Sequence, residues 1–313
     1  MPRDIHRVKI CQRSTITVRL SGGLGNQMFQ YAFGRAVSIK TGAMLGLDDA
    51  RGFIGDRYAR KMTLDCFPIA AQCRQMNQEG FAFLVSSHPR ILKLVSGFQQ
   101  MVNWGKPRIY HERSLFAFDE SHFHTAPSAY FVGYWQNPMY FAEIASVLRQ
   151  ELTFPGPKRE DYVGMLVRQM NGSNSVAIHV RRYDLADLRR FGKIRSDQLT
   201  LDQSYYEQAL DTLARKERDV RFFIFSDGAN TELPFLLQKQ IVRVDSTLIG
   251  DDAAEQWLMS KCKHQIIANS TYSWWAAWLN ANPAKTIIAP RKWFRGSLSN
   301  NGIFPADWIV LGR

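Results

Sequence analysis

The second half of the chain alternates short apolar runs with longer amphipathic stretches, and this alternation constrains the fold more than any other feature. The apolar runs have the length of buried strands, and the stretches between them have helical periodicity. The strand-like runs are SVAIHV (175–180), RFFIFSD (221–227), IVRVD (241–245), HQIIAN (264–269) and KTIIAP (285–290). Strands that alternate with helices in this way predict an open parallel sheet covered on both faces.

The first half contains fewer clear elements of the same kind. Residues 15–48 predict a strand, a glycine-rich turn, a helix and a second strand. The segment FVGYWQNPMYFAEIASVLRQEL (131–152) predicts a further strand, a polar turn and a helix that opens after Pro138. Residues 51–130 are less periodic and predict mixed helix and loop. The stretch FPGPKRED (154–161) has the proline, glycine and charge of a domain linker. Because 313 residues are many for a single core, we expect two α/β domains.

Composition and charge limit the class of protein. Hydrophobic residues make up 45% of the chain and charged residues 22%, which excludes a disordered protein. The net charge of +12 calls for an anionic partner: nucleic acid, an anionic membrane surface or a phosphate-bearing substrate. The four cysteines form no CxxC pair, which favours a reducing compartment. Without a signal-like or membrane-spanning apolar run, we expect a soluble, cytoplasmic protein.

Polar or glycine-rich segments follow five of the predicted strands. In open parallel sheets, ligands bind at the carboxyl ends of the strands. One polar strand end means little, but five predict a single site in a crevice between the two halves. The five segments are SGGLGNQ (21–27), HVRRYD (179–184), FSDG (225–228), ANSTYS (268–273) and APRKW (289–293).

The glycine-rich turn has three interpretations. Gly22, Gly23 and Gly25 allow close backbone approach and free N–H groups at a helix N-terminus, where an anion is stabilised. A tight turn without any ligand is the first alternative. A dinucleotide site is the second, because Asp48 ends the next strand about 20 residues further on. However, the GxGxxG pattern counted from Gly23 requires a glycine where Met28 stands.

Of the five segments, HVRRYD offers the side chains best suited to bind a phosphate. Arg181 and Arg182 follow a buried strand, where their guanidinium groups can bind phosphate oxygens bidentately. His179 and Asp184 flank them and could orient the arginines or exchange a proton with a substrate. The alternative is a solvated basic loop, since more cations follow at 189–195. The position at a strand end favours the site.

Two other strand ends offer polar groups. Ser226 and Asp227 suit ribose hydroxyls or a base N–H, although aspartate is also common in turns and helix caps. The predicted helix after HQIIAN has two interpretations. Its N-terminus could bind an anion, or Ser270 could simply cap the helix while Trp274, Trp275 and Trp278 lie in the core. Its polar residues are Asn269, Ser270, Thr271 and Ser273. No P-loop or DxD pair is present, so a bound diphosphate would be neutralised by arginine and helix N-termini rather than by a metal.

Five segments, in this order, resemble the motifs of the α-1,2-fucosyltransferase family. They are GGLGNQMFQYAFGRA (22–36), GYWQNPMYF (133–141), HVRRYD (179–184), LMSKCKHQIIANSTYSWWAAWL (258–279) and IAPRKWF (288–294). The resemblance implies transfer of L-fucose from GDP-β-L-fucose to the 2-hydroxyl of a terminal β-galactoside with inversion. It also implies a GT-B-like fold, in which two Rossmann-like domains face their parallel sheets across a crevice. The acceptor-side domain would span 1–158 and the GDP-fucose-binding domain 159–313, with no required metal or other cofactor.

The resemblance also implies roles for the candidate residues. The pyrophosphate would be bound by Arg181 and Arg182, with His179 and Asp184 shaping the pocket and the nucleoside against Ser226 and Asp227. Further donor contacts would come from Gly23, Gly25, Asn26, Asn269, Ser270, Thr271 and Ser273. Arg181, His179, Asp184 and Asn26 are the predicted catalytic residues. The sequence departs from the family pattern at Tyr183, Leu185 and Gly228, where Gly, Tyr and Asp are usual.

The expected partners are GDP-fucose and a galactoside-terminated oligosaccharide or glycolipid. Such an enzyme would build a bacterial polysaccharide at the inner face of a membrane, with peripheral contact to anionic lipid. We expect no nucleic-acid partner, because the basic residues are dispersed and no nucleic-acid-binding motif is present. A nicotinamide-dependent oxidoreductase and a basic nucleic-acid-binding protein remain the alternative functions.

Overall fold

The computed structural model describes most of both halves of the chain. The described residues are 14–56, 58–73, 108–125, 128–156, 160–181, 201–226, 236, 240–293 and 302–312. Within them, two parallel sheets organise the chain, one from residues before 133 and one from residues after 173. The expected α/β class with two parallel sheets is therefore confirmed.

The first sheet has the order β3-β2-β1-β5-β4, and all its neighbouring strands are parallel. Its strands are β1 (Thr15–Arg19), β2 (Met44–Asp48), β3 (Gln72–Cys73), β4 (Arg108–His111) and β5 (Ser128–Val132). Helix α1 (Leu24–Thr41) connects β1 to β2 and ends at Gly42, whose φ of 70° gives the left-handed C-cap that the sequence predicted.

The second sheet has the order β11-β10-β9-β6-β7-β8 and is also parallel throughout. Its strands are β6 (Asn174–Val180), β7 (Val220–Ser226), β8 (Ile241–Arg243), β9 (His264–Ile266), β10 (Ile287–Pro290) and β11 (Ile309–Leu311). This is the strand order of a doubly wound nucleotide-binding sheet, and the order reverses between β6 and β9. Ligands of such sheets bind at the carboxyl side of that reversal.

Helices of both halves pack around these sheets. After α1 come α2 (Ala145–Glu151), α3 (Glu160–Asn171), α4 (Gln203–Ala214), α5 (Ser246–Ile249), α6 (Asp252–Ser260) and α7 (Thr271–Leu279). Helix α3 begins inside the segment that the sequence predicted as a linker. The predicted domain boundary at 158/159 lies outside the described residues and stays a prediction.

Several predictions for the first half differ from the structure. Strands β3 and β4 lie within residues 51–130, which the sequence predicted as mixed helix and loop. The helix predicted to open after Pro138 is α2, which begins at Ala145 after two short 3-10 turns. The strand predicted to begin at Phe131 runs instead over Ser128–Val132, because the chain turns away at Gly133 and Trp135 takes a φ of 56°. A Cβ at Gly133 would approach Glu112 and the Trp135 ring too closely. Strand β11 was not predicted, since three residues are too few to show a period.

The two halves share one hydrophobic core through α1 and α7. The Phe29 ring lies 4.5 Å from Trp274 and 5.1 Å from Trp275, between ring centroids, and Phe141 stacks on Trp275 at 5.5 Å. These tryptophans are buried with Trp278, which confirms their predicted place in the core. The halves are therefore joined by packed helices as well as by the connecting segment. Across the described part of the chain, no helix is both long and apolar enough to cross a membrane.

Candidate active site

The carboxyl edges of the two sheets meet where α1 and α7 begin. Helix α1 starts directly after β1, and α7 starts shortly after β9. At the junction, the Asn26 side-chain oxygen accepts hydrogen bonds from Thr271 Oγ1 and Gln136 Nε2, both at 3.0 Å. Because Gln136 follows β5, this one amide oxygen joins the ends of three strands. The sequence placed Asn26 and Thr271 at the site but did not single out Gln136.

The three glycines of the turn before α1 have different structural roles. Gly22 has a φ of 78°, which is costly for other residues. A Cβ at Gly25 would collide with the Thr271 and Tyr272 backbone, so this glycine allows α1 and α7 to touch. Gly23 has an ordinary φ of −78°, and a Cβ there would meet nothing within 4 Å. Gly23 therefore borders open space, where a ligand can approach the backbone.

Two buried glutamines in α1 fix this turn. Gln27 donates from Nε2 to the carbonyls of Gly22 and Lys61, each at 3.0 Å. Gln30 donates to the Gly133 carbonyl at 2.9 Å, which ties α1 to the loop after β5. Sequence reasoning gave neither glutamine a role. The available signal was a pair of amides three residues apart on the buried side of an otherwise apolar helix.

Arg181 follows β6 at the strand-order reversal and is half-buried. His179, the last but one residue of β6, is only 5% exposed. Burial, and to a smaller extent the positive charge of Arg181, lower the pKa of this imidazole to about 3. At neutral pH the ring is therefore uncharged, and Nδ1 has no hydrogen-bond partner among the described residues. These properties favour a positioning role over proton exchange with a substrate.

Several polar residues at the start of α7 form hydrogen bonds within the protein. Ser270 Oγ accepts a hydrogen bond from the Tyr272 N–H at 3.3 Å, as the capping alternative predicted. Ser273 is fully buried and donates to the Ser270 carbonyl at 3.3 Å. The sequence grouped Ser273 with the donor-binding residues, but the structure buries it completely, so its hydroxyl bonds within α7 instead of facing a ligand. Asn269 donates to the Trp293 carbonyl at 3.2 Å.

The other predicted site residues lie around Arg181 or outside the described residues. Ser226 pairs in register with Val180, so the end of β7 is next to the end of β6. Outside the described residues are Arg182, Asp184 and Asp227, together with the family departures Tyr183, Leu185 and Gly228.

Asp48, on which the dinucleotide alternative depends, is fully buried. Its Oδ2 accepts hydrogen bonds from Tyr130 Oη at 2.6 Å and from Arg51 Nη1 at 2.9 Å. Burial alone would raise the pKa of this carboxyl, but the hydrogen bonds from Tyr130 and Arg51 outweigh it and hold the pKa below its usual value. Because this carboxylate is buried and hydrogen-bonded to Tyr130 and Arg51, it cannot bind ribose hydroxyls, and the dinucleotide interpretation is wrong.

The electrostatics of the junction favour an anion. The N-termini of α1 and α7 lie side by side, and neither helix has an acidic residue in its first turn. Helix N-termini have a positive partial charge and free N–H groups. Arg181 adds a full positive charge at the carboxyl edge of the second sheet, which contributes α7 to the junction. Together these groups can stabilise phosphate oxygens.

The matching family model and the two relatives described next are all glycosyltransferases. The family described as Glycosyl transferase family 11 matches residues 84–312. The chain is 30% identical to an alpha-1,2-colitosyltransferase of Escherichia coli over 308 residues, which are 96% of this chain and 100% of the relative. It is 35% identical to the O-antigen biosynthesis glycosyltransferase WbnK of Escherichia coli over 140 residues, 44% and 45% of the two chains. The crystal structure of the fucosyltransferase NodZ from Bradyrhizobium aligns with 85% of this chain and 92% of its own, at 13% identity and a TM-score of 0.46.

Proposed function

The chain belongs to glycosyl transferase family 11, and we propose that it transfers L-fucose from GDP-β-L-fucose to the 2-hydroxyl of a terminal β-galactoside. One observation carries this proposal: Arg181 and the N-termini of α1 and α7 all lie where the carboxyl edges of the two sheets meet. A departing GDP gains negative charge as its bond to the sugar breaks. Preorganised cations and N–H dipoles lower the barrier to such a step more than any other single factor.

The proposed reaction is a single displacement with inversion. The acceptor 2-oxygen attacks the anomeric carbon from the face opposite GDP, the bond from that carbon to the phosphate oxygen breaks, and the hydroxyl proton leaves. The sugar gains oxocarbenium character as this happens. Arg181, with Arg182 as the second cation, pairs with the pyrophosphate, while the backbone N–H groups at Gly23 and Gly25 approach it from the first half.

The remaining candidates position the substrates. Asn26 fixes the junction through Thr271 and Gln136. His179, with its pKa of about 3, is a weak proton acceptor, so its neutral ring orients Arg181. Asp184, which lies outside the described residues, keeps the pocket-shaping role that the family resemblance implies. The nucleoside lies along the end of β7, against Ser226 and Asp227, and the Asn269–Thr271 turn contributes donors from the other side.

The proposed reaction needs no divalent metal. The sequence has no DxD pair to hold a cation on the diphosphate, and Arg181 with two helix N-termini supplies positive charge in its place. We place the reaction in the cytoplasm, on a galactoside-terminated oligosaccharide or glycolipid used for a bacterial polysaccharide. The net charge of +12 suits peripheral contact with an anionic membrane.

The name of one relative suggests a second candidate donor substrate, GDP-colitose. The protein that aligns with 96% of this chain is named an alpha-1,2-colitosyltransferase. Colitose is 3-deoxy-L-fucose, so the two donors differ by one hydroxyl. A site that hydrogen-bonds that hydroxyl would reject GDP-colitose, whereas an apolar site would accept both.

Transfer assays with EDTA present test the proposal. GDP release is followed with GDP-fucose or GDP-colitose, using lactose as acceptor and 2'-deoxylactose as the matched control that lacks the reacting hydroxyl. We expect GDP release with lactose only, and NMR of the product should show an α-1,2 linkage. Equal GDP release with both acceptors, or no release with either donor across a panel of β-galactosides, would contradict the proposal.

A further inference from the structure

A second cleft, of about 200 Å³, lies at the other end of the sheets. One wall includes Phe67, Arg149 and Phe154, and the other includes Trp257, Lys261 and Leu279. Helix α6 ends at Ser260 before β9 begins, and α7 ends before β10 begins. The cleft therefore borders the amino ends of the strands, whereas the candidate active site lies at the carboxyl ends.

Two half-buried cations line this cleft, each held over a tryptophan. The Arg149 guanidinium lies 4.4 Å from the Trp278 ring centroid, and Lys261 Nζ lies 4.6 Å from that of Trp257. Neither cation forms an ion pair with a carboxylate of the described residues. Glu151, two residues from Arg149 along the chain, is paired with Arg35 at 2.7 Å. Burial lowers the pKa of both cations.

The hydroxyl and amide side chains of the cleft form hydrogen bonds within the protein. Thr153 and Ser260 donate their hydroxyl protons to the carbonyls of Arg149 and Trp257, each at 2.6 Å. Gln256 donates to the Tyr272 carbonyl at 2.9 Å. Among the described lining residues, the charged donors that can meet a ligand are therefore Arg149 and Lys261. A cleft lined by these two cations favours an anionic ligand over a neutral one with hydroxyl or amide groups.

A third cation increases the positive charge behind Arg149. Burial lowers the pKa of Lys285, the charge of Arg149 lowers it further, and Asp307 acts in the opposite direction. Lys285 donates to the Asn280 carbonyl at 2.8 Å, so it stays beside the end of α7. Half-buried like charges destabilise a fold unless an anion compensates them.

We propose that this cleft binds a phosphate ester carried on an apolar group. The cations bind the phosphate, and the rings of Phe67, Phe154 and Trp257 contact the apolar part. Phe154 and Trp257 come from opposite walls, with ring centroids 6.2 Å apart. Such an ester is either the head of a lipid in a bilayer or a free metabolite. The proposal stands apart from the identity of the donor sugar, since none of its residues belongs to the candidate active site.

Calorimetry with hexyl phosphate on the full chain tests the site. The cleft variant is Arg149→Gln/Lys261→Gln, and its control is Arg215→Gln/Lys216→Gln, which removes the same two charges from exposed positions after α4. We expect the cleft variant to bind at least about tenfold more weakly, about 1.4 kcal/mol, while the control binds like the wild type. The charge-retaining variant Arg149→Lys/Lys261→Arg should keep most of the affinity, which separates lost charge from lost folding.

Vesicle flotation distinguishes the two sources of the ester. If the ligand is a lipid head, the wild type and the control float with phosphatidylglycerol vesicles but not with phosphatidylcholine vesicles, and the cleft variant does not float. If the ligand is a free ester, flotation is equal in all variants while hexyl phosphate binding is lost in the cleft variant. Equal hexyl phosphate affinity in the wild type and the cleft variant, or no binding by the wild type at millimolar concentration, would overturn the proposal.

Discussion

Asn26 and Thr271 are 245 residues apart in sequence, yet Thr271 Oγ1 donates to the Asn26 side-chain oxygen at 3.0 Å. Each residue lies in the first turn of a helix that follows a strand of its own sheet. The hydrogen bond holds the N-termini of α1 and α7 together, and Gly25 leaves room for this contact. The geometry of the anion site therefore depends on a junction between the two halves.

A double-mutant cycle between Asn26→Ala and Thr271→Val measures this junction. Each variant removes one partner of a partly buried hydrogen bond and should lower the free energy of unfolding by about 1–3 kcal/mol. Because the residues touch, we expect the effects to be non-additive, with a coupling energy of about 1 kcal/mol. Urea unfolding of the four proteins provides the values, and fully additive effects would show that the two residues do not interact in solution.

Alanine at Gly25 should destabilise the fold, whereas alanine at Gly23 should not. Gly25→Ala places a methyl group against the Thr271 backbone, so we expect a loss of about 1–3 kcal/mol in the free energy of unfolding. Gly23→Ala meets open space and should leave stability within about 0.5 kcal/mol of the wild type. If the pyrophosphate lies against Gly23, this second variant should still bind GDP more weakly.

Thermal unfolding and GDP calorimetry on both variants check the glycine prediction. Two equally stable variants would mean that α1 and α7 do not touch at Gly25. A Gly23→Ala variant with wild-type GDP affinity would place the phosphates elsewhere.

Much of the second sheet could be predicted from the sequence because its strands are buried on both faces. Such strands read as continuous apolar runs, and β6 and β7 appear within one residue of their predicted bounds. The predicted start of β5 was three residues too late, because the apolar and aromatic residues continue through a turn that is formed by Gly133 and Trp135. A left-handed residue other than glycine leaves no such signal in the sequence.

The residue types of the site could be predicted, but their hydrogen-bond partners could not. The strand ends correctly brought Asn26, Arg181 and Thr271 to the same edge of the fold. The commitment of Asn26 to Thr271 and Gln136 depends on contacts across more than 100 residues, which local patterns do not contain. For the same reason, the burial of Asp48 under Tyr130 removed a dinucleotide interpretation that the spacing had left open.

The pH dependence of stability should reveal the buried His179. Its pKa is about 3 in the folded protein, below the ordinary value of 6.5, so between these values the unfolded chain binds the additional proton. Stability from this residue is complete above about pH 6.5 and falls as the pH decreases toward 3, by at most about 1.4 kcal/mol per pH unit.

The His179→Gln variant isolates this contribution to stability. Urea unfolding at about pH 7 and about pH 5 should show a smaller loss on acidification for the variant than for the wild type. Equal losses in the two proteins would mean that the imidazole of His179 is accessible to protons in the folded state.

The turnover of Arg181→Ala measures how much the cation assigned to the leaving pyrophosphate contributes to transfer. We expect a kcat for transfer from GDP-fucose to lactose about 10²–10³-fold below that of the wild type. Arg215→Ala, which removes an exposed guanidinium at the end of α4, should leave kcat unchanged, and both variants should unfold at the wild-type temperature. A folded Arg181→Ala enzyme with the wild-type kcat would contradict the role proposed for Arg181, because the departing GDP would then be stabilised without this residue.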